Sequence, residues 1–458
     1  MRELELVVDE ALRKGLSPFY VTPFNSQYLK EFLGFRLGEA GPEKYNLADN
    51  PLSGLASLLY SWPFPQFITG ERYNLLIVRD SDVNHEDVVY SVDDDHTTAT
   101  HIFSVDELTF GLGTLMEVAD FGEYVFMTNG VIMIFWDPSL SAWNKIVASS
   151  VIPMMRTVCN FKGQLVGGNV VSSWHDCDEK FYVWSKIGHV DFTPDNYNLA
   201  GYRRDPYGGE VYHVRRLSDM VIGYSSKGIT ALEAVNTPIP TFKFTELDDV
   251  GLVNQGAMNG SLREQVYVGK DKRLRKITRQ GIEVLDYRYY MEQLNEIIVS
   301  YNGDFYIGDN EKTFLLTKQG LSEIPQHPSA VWGDVNEAHM VPETADYEYK
   351  MTIVSHPFDM GYAGQKTVFS METDLMLGYK PKVAVDCYLN PDTYFTTSYK
   401  PLNNQNAASI IAAGNAFALR LRLNPDYDNT RIGYIKARYK MTDLRSLRGV
   451  YAPPPRGQ

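Results

Sequence analysis

Three side chains of the kind that break bonds lie within seven residues of one another. Ser185, His189 and Asp191 stand in VWSKIGHVDFTPDNYNLAG, residues 183–201, with Thr193 and Asp195 close behind. A serine nucleophile needs a histidine base within hydrogen-bond reach and a carboxylate that orients the base. In an extended strand, residues an even number apart share a face, so all three could stand on one side. Four residues of strand span roughly 13 Å, too far for a direct hydrogen bond. Turn chemistry is the simpler reading. Gly188 permits a bend, Asp191 and Thr193 can bond the local backbone, and Pro194 stops a ladder. Trp184 and Ile187 are expected to pack inward from a strand end.

Metal chemistry has two candidate places. The segment 80–101, DSDVNHEDVVYSVDDDHTTATH, holds Asp93, Asp94, Asp95, His96 and His101. Consecutive aspartates splay apart, and the spacing lacks the central glycine and closing glutamate of a calcium loop. A solvated loop is expected there. His175 and Cys177 have no second pair at zinc-ligand spacing. The three cysteines, Cys159, Cys177 and Cys387, form no CxxC and no disulfide framework. Neither a P-loop nor GxGxxG is present, and no pair of carboxylates can be placed across a sugar-cleaving cleft. No cofactor, metal or catalytic residue is therefore expected.

Two basic groups stand out in a chain of net charge −14. KDKRLRKITRQ carries Lys270, Lys272, Arg273, Arg275, Lys276 and Arg279. Near the end, Arg420, Arg422, Lys436, Arg438 and Lys440 lie on two alternating segments. A solvated sheet face is one reading of each group, and contact with an acidic neighbouring subunit is the sharper one. The overall acidity argues against tight general binding to nucleic acid, whose affinity comes from neutralised phosphates.

The elements that position these residues read as strands. Aromatics make up 13% of 458 residues and tyrosines number 30, which favours strands and turns over helices. The exception is the start. Leu4, Val7, Val8, Ala11 and Leu12 follow helical spacing up to Gly15, and a second helix is expected from Asn50 and Pro51 through Leu52, Leu55, Leu58 and Leu59. Between them an apolar stretch reads either as an arm laid across another surface or as an irregular packed segment. Its aromatics Phe19, Tyr20, Phe24, Tyr28, Phe32 and Phe35 are candidate interface residues, together with the five C-terminal basic residues.

From about residue 62 to 340, strand–turn–strand units recur. Turns anchored on Gly130, Asn169, Gly228, Asp271 and Asn310 lie 39, 59, 43 and 39 residues apart. A four-stranded propeller blade needs about 40–45 residues. A large β-sandwich with similar hairpins is the alternative. Further on, Phe417, Leu419, Leu421 and Leu423 alternate with Ala418, Arg420 and Arg422. Ile435, Ala437, Tyr439 and Met441 alternate with Lys436, Arg438 and Lys440. The turn-rich link NPDYDNT suggests that the two strands form a hairpin. The fold expected is mainly β. It has N-terminal helices and an arm over 1–61, a β-propeller over 62–340, a β-sandwich-like platform over 341–445 and an extended Pro-rich tail over 446–458. No apolar run reaches the 18 residues of a membrane helix, and the first residues lack a signal-peptide pattern.

FYVWSKIGHVDFTPDNYNLAGY, followed by PYGGEVYHVRRLSDMVIGYSSKGITAL, resembles the nozzle or tail-tube-hub proteins of short-tailed bacteriophages. These are also called tail tubular protein B or packaged-DNA stabilisation proteins. A Phe-Asp-x-Gly start at Phe358, Asp359 and Gly361, the arginine-alternating strand, and a closing Asp443, Arg445, Arg448 and Gly449 are similar too. The likeness covers about 155–450. It implies a non-enzymatic virion tail protein, made in the host cytoplasm: a propeller with a sandwich platform, six copies ringing the channel through which viral DNA leaves. Its implied partners are a head-to-tail adaptor above and fibres, a needle or other distal tail proteins below. A receptor- or glycan-binding propeller at the tail tip is the second expectation, and a glycan-cleaving enzyme the third.

Overall fold

The computed structural model describes residues 3–18, 24–45, 57–61, 66–68, 71–80, 86–92, 99–106, 117–122, 124–137, 142–194, 200–236, 241–325, 328–333, 338–342, 351–362, 364–375, 381–424 and 432–442. Strands dominate, and the two described helices, Glu10–Lys14 and Arg288–Met291, are one turn each. The chain divides into two compact units. Met1–Tyr45, Lys312–Gln326 and Thr344–Gln458 form a platform unit; Asn46–Glu311 and His327–Glu343 form a repeat unit.

The repeat unit is built from local hairpins. Four consecutive antiparallel meanders, each of four strands, begin at Glu117, Met155, Val211 and Met258. Gly130, Gly228 and Asp271 fall between second and third strands of the first, third and fourth meanders, as expected. Asn169 does not: it lies inside strand Gln164–Val170 with φ +58°, and the turn comes later. Successive sheets share cores, so the second and third are packed on both faces. Phe126, Met133 and Ile146 of the first meander share a core with Met155, Val158 and Val183 of the second. Val166 and Trp184 of the second pack with Val214, Val221 and Leu232 of the third. Ile222 and Tyr224 of the third pack with Tyr267 and Ile277 of the fourth. A fifth sheet, built on Glu71–Asp80, precedes the series. Its strand Ser57–Ser61 lies against Pro328–Gly333, a strand from the far end of the same unit.

The platform unit is built from distant pieces. In one sheet the order is Leu4–Val8, Ile435–Met441, Lys366–Thr373, Ala407–Gly414, all antiparallel. In the other, Leu29–Leu33 lies between Leu321–Ile324 and Met351–Ser355, followed by Ala416–Leu423, Lys382–Asn390 and Thr393–Thr396.

Three expectations are corrected here. Residues 4–8 are a strand, not the start of a helix. Leu4, Leu6 and Val8 also share the period of two, and pairing with Ile435–Met441 overrides a weak helical pattern. Among the described residues up to Tyr45, only Glu10–Lys14 is helical, with Ala11 and Leu12 buried and Gly15 (φ +67°) ending it. Of the second helix, residues 50–56 lie outside the described residues, and Leu58 and Leu59 belong to strand Ser57–Ser61. The described N-terminal residues therefore supply strands to both platform sheets. Third, Ala416–Leu423 and Ile435–Met441 alternate as read but sit in different sheets. A hairpin would set the two basic faces side by side, whereas Ile435–Met441 lies between strands carrying Glu5 and Glu372, and Arg420 reaches Asp386 and Glu31. The Pro-rich tail and the Asp443–Gly449 motif lie outside the described residues.

Candidate functional site

The 185–194 segment connects the third strand of the second meander, Phe181–Trp184, towards its fourth, Gly201–Arg204. No triad forms there. Ser185 is fully buried and its Oγ accepts from Leu165 N at 2.9 Å while donating to Lys186 O at 3.0 Å. Asp191 pairs with Lys186 and accepts from Thr193 N at 2.9 Å. Burial works against its charge, but the Lys186 and Thr193 hydrogen bonds prevail and hold its carboxyl below the ordinary range. Gly188 makes the bend at φ +73°, and the backbone of exposed His189 donates to Lys186 O. Trp184 packs inward, but Ile187 is 51% exposed at the turn, where the bend carries it off the strand.

His175 and Cys177 also part company. The His175 ring stacks on Tyr202 at 5.7 Å and meets Trp174 edge-on at 4.5 Å. Cys177 is buried, and burial followed by Asp178 and Asp176 pushes its thiol up to about 11. Among the described residues, no three His, Cys, Asp or Glu side chains are grouped to hold a metal. Asp93–Asp95 and His96 lie outside the described residues, and His101 falls in strand Ala99–Asp106.

The candidate interface residues are largely claimed by the chain itself. Phe19 and Tyr20 lie outside the described residues. Phe32 and Phe35 are buried and stack at 5.4 Å, so they are core, not free apolar surface. Phe24 is half-buried against Val354, Tyr388, Ala416 and Ala418. Tyr28 is half-buried, with Lys14 Nζ 5.6 Å from its ring centroid.

The five basic residues do not form one patch. Arg420 donates from Nε to fully buried Asp386 at 2.7 Å and reaches Glu31 at 3.4 Å. Arg422 lies over the Tyr399 ring at 3.9 Å. In the other sheet, Lys436 and Arg438 stand between Glu5 and Glu372. The contacts to Glu372 are 3.0 and 2.8 Å, and Lys440 meets Glu3 at 3.1 Å. In the first basic group, Arg275 pairs with Asp271 and Asp248, Lys276 with Glu264, Arg279 with Asp219 and Arg273 with Asp286. Lys272 Nζ donates to Leu294 O at 3.0 Å.

Two constellations were not singled out from sequence. The first joins three meanders through their first strands. Buried Glu117 receives a two-pronged grip from Arg215, at 2.8 and 3.2 Å, and meets His213 Nδ1 at 2.6 Å. His213 Nε2 faces Gln255 O. Both ring nitrogens thus face oxygen atoms. Between them, Thr157 Oγ1 of the second meander accepts from Val214 N.

The second is an open cleft of about 620 Å³ beside Tyr207, Lys227, Asp249 and Lys270. It is built where the links 205–210 and 249–257 lie over the turns 226–228 and 269–273. Backbone hydrogen bonds stitch these loops: Ser226 N to Glu210 O, Leu252 N to Ser225 O, and Lys270 N to Gly251 O. Asp205 anchors one link by accepting from Gly209 N, Tyr182 Oη and Ser225 Oγ. Glycines allow the close approach. A Cβ on Gly228 would come within 2.3 Å of the Tyr207 ring, and one on Gly251 within 2.2 Å of Ser226 C. The signal in sequence was a charged or aromatic residue beside a glycine at successive turns, spaced too widely to read as a motif.

No family model and no curated protein matches the chain. Among solved structures, it is similar to Hsv2 of Kluyveromyces lactis at 12% identity and a TM-score of 0.32, covering 56% of this chain and 83% of that one. A form of that protein with loop 6CD replaced by a Gly-Ser linker matches at 12% and 0.31, over 56% and 82%. PorZ of Porphyromonas gingivalis, a surface component of the type-IX secretion system, matches at 10% and 0.36. That likeness covers 68% of this chain and 36% of PorZ. Among the described residues, no helix is long and apolar enough to cross a membrane.

Proposed function

We propose that the chain is a non-enzymatic subunit of a bacteriophage virion tail, a nozzle or hub protein. In this reading its meanders close into a β-propeller on a sandwich platform. Six copies ring the channel for genome retention and ejection, joining a head-to-tail adaptor to distal tail proteins. The observation that carries the reading is the use made of the residues in the tail-protein resemblance. Asp191 shapes a turn, Asp359 exchanges hydrogen bonds with Asn25, and Arg420 is committed to Asp386. These residues build a frame. The meeting of Ser57–Ser61 with Pro328–Gly333, near the two ends of the repeat unit, supports closure. The internal pairing of the basic strands leaves few free cations there to trap passing phosphates.

Native mass spectrometry and electron microscopy of particles test this. A sixfold ring continuous with the portal is expected. A protein that stays monomeric and is absent from particles overturns it. A second reading, a receptor- or glycan-binding protein at the tail tip, is favoured by the cleft beside Tyr207.

A further inference from the structure

We propose that the cleft formed by Tyr207, Lys227, Asp249 and Lys270 is a saccharide-binding site. The proposal rests on the second reading above and names its site and ligand chemistry. At about 620 Å³, the cleft falls in the size range of small-ligand sites. Its walls are set in advance by the loop-to-loop hydrogen bonds and glycine contacts, so little ordering is left for binding to supply.

The lining selects the ligand. Among the described residues, the Lys227 and Lys270 ammoniums and the Asp249 carboxylate have no hydrogen-bond or ion-pair partner, although most of the neighbouring charges do. An apolar ligand would strip water from unpaired charges of both signs at a net cost. A phosphate or nucleic acid meets the wrong field. The carboxylates of Glu246, Asp248, Asp249 and Asp205 act on the Tyr207 ring and, after burial, help push its hydroxyl above its ordinary range. A metal ion would meet two ammoniums. Sugar hydroxyls both donate and accept, so one ring can serve Asp249 and the lysines together. Its C–H surface can lie on the tyrosine ring, whose one side already rests on Gly228.

Saturation-transfer NMR on the full chain tests this with glucose, N-acetylglucosamine and glucuronic acid, alongside inorganic phosphate and a diaspartate peptide as controls. A sugar response with Kd on the order of 1 mM is expected, and at least a tenfold loss in Lys270→Ala and Asp249→Ala. Among the described residues neither side chain has a hydrogen-bond or ion-pair partner, so thermal unfolding of both variants should match the parent. Sugar binding that both variants retain overturns this cleft as the site while leaving the glycan-binding reading standing. No response to any of the sugars overturns both. A response to phosphate or peptide alone overturns the ligand class.

Discussion

Glu117 and Glu372 each meet two basic side chains, yet they sit in opposite settings. Glu117 is fully buried between meanders and faces Arg215 and His213, themselves almost without exposure. Glu372 lies on a sheet face with Lys436 and Arg438, where water reaches the pair. The difference teaches where charge serves uniqueness and where it serves partner choice. Removing one member from a buried group leaves uncompensated charge in a poor solvent. Removing one from a surface ladder leaves charge that water takes up. The ladder's work is instead to select neighbours: basic Ile435–Met441 prefers the glutamate-bearing strands Leu4–Val8 and Lys366–Thr373 over Ala416–Leu423, which is itself basic.

The sharpest way to break that contrast is Glu117→Gln. It should cost about 3–5 kcal/mol in guanidinium unfolding, because the buried Arg215 guanidinium loses its counter-charge. A cost below about 1 kcal/mol would erase the distinction. His356 isolates burial without a carboxylate partner. Burial, then Lys30, depresses its imidazole to about 4 from the ordinary 6.5. The unfolded chain takes up that proton near 6.5 while the folded one refuses it, so stability falls as pH drops from about 6.5 to about 4. The loss should be about 2–3 kcal/mol, and His356→Gln should flatten it in pH-dependent thermal unfolding. The smallest effect belongs to the ladder. Glu372→Ala should cost under about 1 kcal/mol and should cost less still in about 1 M salt, where exposed charges are screened.

The repeat unit was the more legible because its contacts are local. Gly130, Gly228 and Asp271 mark turns between strands a few residues apart, so their spacing carries the period. The platform unit hides its pairing because its N-terminal strands find partners hundreds of residues away and its other strands pair across intervening ones. Alternation in Ala416–Leu423 gave the right faces but could not name the strand alongside, and the turn-rich link NPDYDNT made a hairpin look natural. The N-terminal residues misled for a related reason. Leu4, Val8, Ala11 and Leu12 satisfy a helical period and Leu4, Leu6 and Val8 a strand period, and only the distant Ile435–Met441 decides between them. At the sites, Asp191 was readable because its partners, Lys186 and Thr193, are near in sequence. Glu117 and His213, and the four cleft residues, come together only through stacking of whole meanders.

The pairing of Leu4–Val8 with Ile435–Met441 also sets a timetable for synthesis. Glu5 and its partner Lys436 are 431 residues apart, so at about 5–20 residues per second the first strand waits on the order of 20–90 s for its companion. The meanders need only neighbouring residues and can fold in that interval. The waiting strand, LELVV, is one that other nascent chains could extend. Glu3 and Glu5, later absorbed by Lys440, Lys436 and Arg438, give it negative charge while it is alone. The same two glutamates that choose the final neighbour thereby discourage premature ones.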